Sequence, residues 1–141
     1  MAEEKKQYNF KEREEYWRKF WEENLIYSFN EKSDKPIYSV DTPPPTVSGT
    51  LHLGHVFSYT HAEVLARFKR MKGFNLFFPI GLDNNGLPTE VLFERAKGVK
   101  ADKLGVEKFT KLVKDSLPEY QDKYLNLFKS LGFSYDFNIQ Y

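Results

Sequence analysis

The segment from Ile37 to Met71 constrains the fold of this chain more than any other part of it. A short β-rich run, Ile37 to Asp41, leads into a turn with three consecutive prolines, and a strongly periodic helical run follows from Val56 to Met71. A strand that turns directly into a helix is typical of a phosphate-binding corner, because the start of a helix presents free backbone N–H groups and a partial positive charge. His52 and His55 stand at this corner and could add side-chain donors. Ordinary structural roles for the two histidines remain an alternative.

The spacing of apolar residues predicts which face of this helix is buried. At about 100° per residue, one seam is expected to pack on a sheet: Phe57, His61, Val64, Phe68 and Met71. The opposite side holds His55 with Tyr59, Ala62 and Ala66. We therefore expect the histidine pair to face away from the packed seam, beside small residues that leave room for a ligand.

The chain after this helix predicts more strands in an α/β arrangement. Residues 74–80 form an apolar run, which is typical of a strand covered on both faces. The strand–helix–strand spacing predicts parallel pairing through a right-handed crossover. Residues 133–141 alternate in character and predict a strand or an extended tail.

Three further segments have helical patterns. Residues 11–25 carry an aromatic face that is expected to lie over a sheet, with docking of another domain as the alternative. Residues 88–97 begin with proline and are followed by glycine, as helices often are. A long apolar seam over residues 106–131 is interrupted by Pro118, and Ser116 with Glu119 resembles a capping box. Two helices or one kinked helix are therefore expected.

Composition excludes several classes of protein. The 141 residues suffice for one domain or part of one. A net charge of +1 gives no electrostatic reason to expect nucleic acid or a membrane as partner. The absence of cysteine excludes disulfides and thiolate metal sites. No apolar run approaches the roughly 20 residues of a membrane span, and the N-terminus lacks the apolar core of a signal peptide. A cytoplasmic protein is expected by default.

Comparison with known motifs argues against several kinds of site at this corner. Gly49 and Gly54 have the spacing of a Walker loop, but His55 replaces its lysine, and G-x-G-x-x-G is absent. A metal site is not expected, because no carboxylate accompanies the histidines and His61 is predicted on the buried seam. Ser48 lacks the partners of a serine nucleophile. Imidazoles that donate to phosphate oxygens remain as the functional hypothesis.

Asp83 lies just beyond the carboxyl end of the second predicted strand, in the segment 81–86. Ligands of open parallel sheets bind at that edge, so Asp83 could meet a cationic group of a ligand. The alternative is a tight turn, because Asn-Gly tolerates left-handed dihedral angles.

The sequence His52-Leu53-Gly54-His55 resembles the HIGH motif of class I aminoacyl-tRNA synthetases. The similarity extends from Asp41 to Glu90 and includes Asp-Thr-Pro-Pro-Pro-Thr-Val-Ser-Gly before the motif and residues 66–75 and 78–90 after it. It is specific for the valyl, leucyl and isoleucyl subgroup, and the triple proline is most similar to the valyl members. The resemblance implies a partial Rossmann-like parallel sheet with flanking helices over residues 36–141, preceded by an N-terminal helix and linker over residues 1–35.

The resemblance implies a role for each matching residue. His52 and His55 would bind ATP phosphates in the transition state of adenylate formation, and Gly54 would permit close approach of adenine. Pro44, Thr46 and Asp83 would line the amino-acid pocket, with Asp83 meeting the substrate ammonium. Thr46 stands where many relatives have asparagine.

The reaction implied by the resemblance is attack of the valine carboxylate on the α-phosphate of ATP, with Mg²⁺ brought by ATP, and then transfer to tRNA(Val). No stretch matches the KMSKS motif, the editing domain or the anticodon-binding helices of the family. We therefore expect the N-terminal half of a catalytic domain, which needs a complementing C-terminal half and is weakly active or inactive alone. The alternatives are a non-catalytic module that binds nucleotide or a partner, a leucyl or isoleucyl relative, and a small nucleotidyltransferase of the wider HxGH group. Residues 81–90 argue against the last of these.

Overall fold

A computed structural model describes residues 8–48 and 51–141 of the chain. Gly49, which belongs to the predicted turn, lies outside the described residues. Helices alternate with short strands in this order: α1 (Phe10–Glu23), β1 (Ile37–Ser39), α2 (Leu53–Met71), β2 (Asn75–Phe77), β3 (Pro79–Ile80), α3 (Leu87–Lys97), α4 (Ala101–Leu104), α5 (Val106–Ser130) and β4 (Asp136–Gln140). The predicted α/β fold class is confirmed.

The strands pair in parallel, which was predicted for β1 and the run of residues 74–80 but not for the end of the chain. β1 pairs with β2, with Ile37 opposite Asn75, and β3 pairs with β4, with Pro79 opposite Asp136. The single strand expected over residues 74–80 is divided between these two pairs. Pro79 explains the division, because a residue without an N–H cannot continue a hydrogen-bonded ladder. The predicted strand at the end of the chain is present as β4.

α2 buries the face opposite to the one predicted. Its buried residues are Tyr59, Glu63 and Ala66, whereas Phe57 is 64% exposed and Met71 is 86% exposed. The rest of the expected seam is exposed too: His61, Val64 and Phe68. The prediction was wrong because the packed face holds a tyrosine, a paired glutamate and a small alanine, which an apolar count scores low. The predicted burial of His61, which counted against a metal site, is therefore wrong as well.

The buried Glu63 explains how a charged residue can lie on the packed face of α2. Its carboxylate accepts hydrogen bonds from Arg67 Nε and from the backbone N–H (2.8 Å) and hydroxyl (3.0 Å) of Ser134. Arg70 donates to the Ser134 carbonyl oxygen (2.6 Å). This network ties α2 to the segment that leads into β4, 71 residues away in the sequence.

α1 does not lie over a sheet, so that prediction was wrong. None of its residues is buried, and its aromatic rings contact each other, with 5.2 Å between the ring centroids of Tyr16 and Trp17. The carboxyl-terminal end of the helix contacts the rest of the protein through its side chains. The Trp21 ring lies 5.5 Å from the Tyr27 ring, and Glu22 pairs with Lys129 at 2.8 Å. Docking of another domain on the aromatic face stays a prediction.

The remaining helices match the predictions in part. α3 is followed by Gly98 at a positive φ of 65°, as expected from its proline and glycine. α5 is one helix with Pro118 inside it, which is the one-helix alternative, so no capping box forms at Ser116. α4 is a single turn that the pattern did not predict. None of the helices in the described ranges is long and apolar enough to cross a membrane.

Two apolar clusters place the candidate site. The larger one packs α2, the strands and the end of α5 around an aromatic centre: Val40, Tyr59, Ala66, Leu76, Phe78, Ile80, Phe128, Phe133 and Tyr135. The smaller one consists of Val47, Leu82 and Tyr124. Leu51 packs against both clusters and so joins the loop before α2 to each of them.

Candidate functional site

The two histidines form the amino-terminal cap of α2. His52 is the N-cap residue, and its Nδ1 accepts a hydrogen bond from the Gly54 N–H at 3.1 Å. His55 Nδ1 accepts from the His52 N–H at 3.3 Å. This is the reciprocal arrangement of a capping box, built with imidazole nitrogens in place of the usual hydroxyl and carboxylate. The ring centroids are 4.1 Å apart, so the spacing that suggested a paired site places the rings side by side.

The cap determines which nitrogen of each ring is available to a ligand. A ring nitrogen that accepts a hydrogen bond carries no proton, so the neutral ring holds its proton on Nε2. Burial lowers the pKa of the His55 imidazole, and the neighbouring His52 lowers it further. Both effects favour the neutral form of His55. Its Nε2–H is a donor at the start of a helix, where backbone N–H groups and the helix dipole also favour an anion.

Gly54 makes room for the His52 ring. A Cβ atom at this position would lie 2.9 Å from His52 Cε1 and 3.0 Å from His52 Nδ1. The resemblance implied that Gly54 permits close approach of adenine, and that contact stays a prediction. The structure adds a second reason for glycine here, namely the placement of the histidine cap.

Gly54→Ala is therefore expected to separate stability from binding. Alanine is the better residue inside a helix by up to about 1 kcal/mol, whereas loss of the His52 cap costs about 0.5–2 kcal/mol, so the melting temperature should change by only a few degrees. If this corner binds ATP, as the resemblance implies, the displaced His52 ring should weaken that binding by about tenfold, the loss of one hydrogen bond to a charged group. Thermal unfolding and titration with ATP measure the two effects. Unchanged ATP affinity would show that the His52 ring position does not matter for the nucleotide.

Asp83 is joined directly to Thr46. The Thr46 hydroxyl donates to Asp83 Oδ2 at 3.1 Å, and the Asn85 N–H donates to Asp83 Oδ1 at 3.1 Å. Between the backbones, the Val47 N–H donates to the Asp83 carbonyl oxygen (2.9 Å), and the Asp83 N–H donates to the Pro45 carbonyl oxygen (3.0 Å). The carboxylate is thus held in one orientation, and each oxygen keeps a further lone pair for a cationic ligand.

Pro44 lies beside the same segment. A Cβ atom on Gly81 would come 3.0 Å from Pro44 Cβ and 2.6 Å from Tyr141 Cζ. A Cβ atom on Gly86 would lie 3.6 Å from Asp83 Oδ2. Of the three residues that were predicted to line an amino-acid pocket, Thr46 and Asp83 are in direct contact, and Pro44 lies against Gly81, two residues before Asp83.

The histidine cap and the Asp83 segment share one support. Leu51, which precedes His52, packs against the cluster of Val47, Leu82 and Tyr124. Leu82, a member of this cluster, immediately precedes Asp83 in the sequence. Each part of the candidate site is therefore next in sequence to a residue that packs in or against the same cluster. Within the part of the chain that the structure describes, no group of three or more His, Cys, Asp or Glu side chains could hold a metal ion.

Tyr124 and Tyr141 contact this site but were missed from the sequence. The Tyr124 hydroxyl donates to the Thr46 carbonyl oxygen at 3.2 Å, and the Tyr141 hydroxyl donates to Asp41 Oδ1 at 2.7 Å. The two tyrosines lie 78 and 100 residues away in the sequence from these partners. No local spacing could have found them.

Comparison with known proteins identifies a family model that matches residues 16–141, described as tRNA synthetases class I (I, L, M and V). The chain is 46% identical over 142 aligned residues to the valine–tRNA ligase of Rickettsia typhi, and 45% identical to that of Rickettsia prowazekii. It aligns over its whole length in both cases but covers 17% of each relative. The chain thus spans a small part of the length of these relatives.

A solved structure is also similar. It is the LeuRS of Agrobacterium radiobacter K84, determined as a ternary complex, LeuRS–tRNA–LeuAMS. The TM-score is 0.76 and the sequences are 28% identical. The match covers 95% of the present chain and 15% of the LeuRS chain.

Proposed function

The chain belongs to the class I tRNA synthetases of the isoleucine, leucine, methionine and valine group, and from this we propose that it supplies the half of a valine–tRNA ligase active site that binds valine and the phosphates of ATP. The observation that carries the proposal is the histidine cap of α2 on the same apolar support as the oriented Asp83 carboxylate. The identity to valine–tRNA ligases favours valine as the amino acid.

Asp83 is proposed to bind the ammonium group of valine. Its carboxylate is already oriented by Thr46 and Asn85, so little reorganisation is needed when the charged ligand binds. Pro44 is proposed to contact the aliphatic side chain, since it is apolar and lies next to Gly81. This arrangement would hold the valine carboxylate free for attack.

His52 and His55 are proposed to stabilise the phosphates as the reaction proceeds. The valine carboxylate attacks the α-phosphorus of ATP, and the bond to the bridging oxygen of pyrophosphate breaks. Negative charge grows on the phosphate oxygens, and imidazole Nε2–H donors held in place at a helix start stabilise it without reorganisation. No covalent bond to the protein is needed, because positioning and charge stabilisation account for this type of catalysis.

Mg²⁺ is proposed to enter with ATP. The donors at the corner are imidazole nitrogens and backbone N–H groups, whereas Mg²⁺ prefers oxygen ligands. The residues present therefore do not fit a protein-held magnesium site, and the ion would be bound by the phosphates themselves. Transfer of valine to tRNA(Val) and a cytoplasmic location belong to the same proposal.

Pyrophosphate exchange into ATP tests the proposal. The chain combined with a complementing C-terminal half should support valine-dependent exchange, and the chain alone should show little or none. His55→Ala should lower the rate by about 100-fold, as loss of one such donor does. His61→Ala is the matched control, because His61 lies exposed on the other side of the same helix.

The amino acid and the histidine are tested separately by this assay. Exchange driven by leucine or isoleucine instead of valine would make the chain part of a different synthetase of the same group. An unchanged rate for His55→Ala would remove His55 from the mechanism.

A further inference from the structure

The loop of residues 41–48, here called the proline loop, pairs with the backbone of Asp83 at Pro45 and Val47 but has few N–H groups for further pairing. It contains Pro43, Pro44 and Pro45, which have no N–H to donate. Its carbonyl groups still need donors where water is excluded. The loop also carries Pro44 and Thr46, so its shape decides the shape of the proposed amino-acid pocket.

Tyrosine hydroxyls supply these donors. The Tyr59 hydroxyl donates to the Pro43 carbonyl oxygen at 2.7 Å. The Tyr124 hydroxyl donates to the Thr46 carbonyl oxygen at 3.2 Å and accepts from the Ser48 N–H at 3.4 Å. At the start of the loop, the Tyr141 hydroxyl shares its proton between Asp41 Oδ1 (2.7 Å) and the Thr42 carbonyl oxygen (3.1 Å), and the hydroxyls of Tyr135 and Thr42 lie 3.5 Å apart.

The tyrosines come from separate elements and are fixed by packing. Tyr59 lies on α2 and its ring is 5.2 Å from the Phe128 ring, while Tyr124 lies on α5 and is 4% exposed. Burial raises the pKa of the Tyr59 hydroxyl, so it remains a donor at neutral and mildly alkaline pH. Rigid rings thus present hydroxyl groups at fixed points along the proline loop.

We propose that Tyr59 and Tyr124 are positioning residues that hold the proline loop in the conformation that binds the amino acid. Each tyrosine contacts a residue in the proposed amino-acid pocket or next to it in sequence. Tyr124 binds the backbone of Thr46, whose side chain donates to Asp83, and Tyr59 fixes Pro43, the residue before Pro44. The role in amino-acid binding rests on the proposed function, whereas the hold on the loop does not.

Tyrosine-to-phenylalanine variants test this inference, because they keep the packed ring and remove only the hydroxyl. Tyr124→Phe should make the Ser48 N–H exchange with deuterium about fivefold faster, the effect of losing one ordinary hydrogen bond. Tyr59→Phe should do the same to the Val47 N–H by loosening the loop. Both should weaken valine binding by about fivefold and leave the circular dichroism spectrum unchanged. Tyr120→Phe is the control, one turn earlier on α5, with its ring against Phe93.

The outcomes distinguish the hold of the tyrosines on the proline loop from their role in amino-acid binding. Exchange rates equal to those of Tyr120→Phe would overturn the proposal, because the hydroxyls would then not hold the loop. Faster exchange with unchanged valine affinity would also overturn it and leave a purely structural role. If the unsubstituted chain binds no valine, the proposed function fails, and deuterium exchange alone then decides whether the hydroxyls hold the loop.

Discussion

Asp83→Asn is expected to weaken valine binding about 100-fold. The substitution keeps the shape of the side chain and an acceptor for the Asn85 N–H, but it removes the charge that would meet the substrate ammonium. Removing one member of a desolvated, hydrogen-bonded charge pair costs about 2–5 kcal/mol, and 100-fold corresponds to about 2.7 kcal/mol. Calorimetric titration with valine measures the effect.

This prediction has two controls, one with a different ligand and one with a different residue. α-Hydroxyisovalerate lacks the ammonium group, so its weaker binding should be the same in Asp83→Asn as in the unsubstituted chain. Asp122→Asn, at an exposed position of α5, should bind valine normally. An equal loss for both ligands would mean that Asp83 shapes the pocket without contacting the ammonium.

Glu63→Ala is expected to lower the free energy of unfolding by about 3 kcal/mol, because each buried donor left without its acceptor costs about 1–3 kcal/mol. The variant leaves the Ser134 N–H and hydroxyl without their acceptor and removes the partner of Arg67. In a chain of this size, 3 kcal/mol corresponds to a fall in melting temperature of about 10 °C. Thermal and urea-induced unfolding measure it.

Glu119→Ala provides the comparison for Glu63→Ala. Glu119, like Glu63, pairs with a basic residue four positions later, here Lys123, but both side chains of this pair are exposed. Exposed pairs of this kind contribute less than about 1 kcal/mol. Similar losses for the two variants would show that the Glu63 network does not hold α2 against the segment before β4.

The fold class could be predicted because it depends on local signals. Proline at the start of α3 and Gly98 after it mark a helix, and the apolar run before Pro79 marks strands. The buried face of α2 could not be predicted in the same way. Its packing depends on partners far along the chain, such as Ser134 for Glu63 and Phe128 for Tyr59. A polar residue becomes a core residue only when such partners satisfy it.

In the candidate site too, the features that depend on local sequence could be predicted and those that depend on distant residues could not. The histidine pair follows from a strand, a turn and a helix that are adjacent in sequence, and the position of Asp83 follows from the edge where parallel strands end. The reasons for glycine at the surrounding positions could not be predicted from the sequence. Gly54 is required by the ring of its neighbour His52, and Gly81 is required by Tyr141, 60 residues later. The tyrosines that hold the proline loop are visible only in three dimensions.

The most direct measurement is a structure of the chain, with its complementing half, bound to valine and a non-hydrolysable ATP analogue. We expect a phosphate oxygen within about 3.2 Å of Nε2 of His52 or His55, and the valine nitrogen within about 3.2 Å of an Asp83 carboxylate oxygen. Phosphates bound away from the start of α2, or an ammonium group held by a residue other than Asp83, would contradict it.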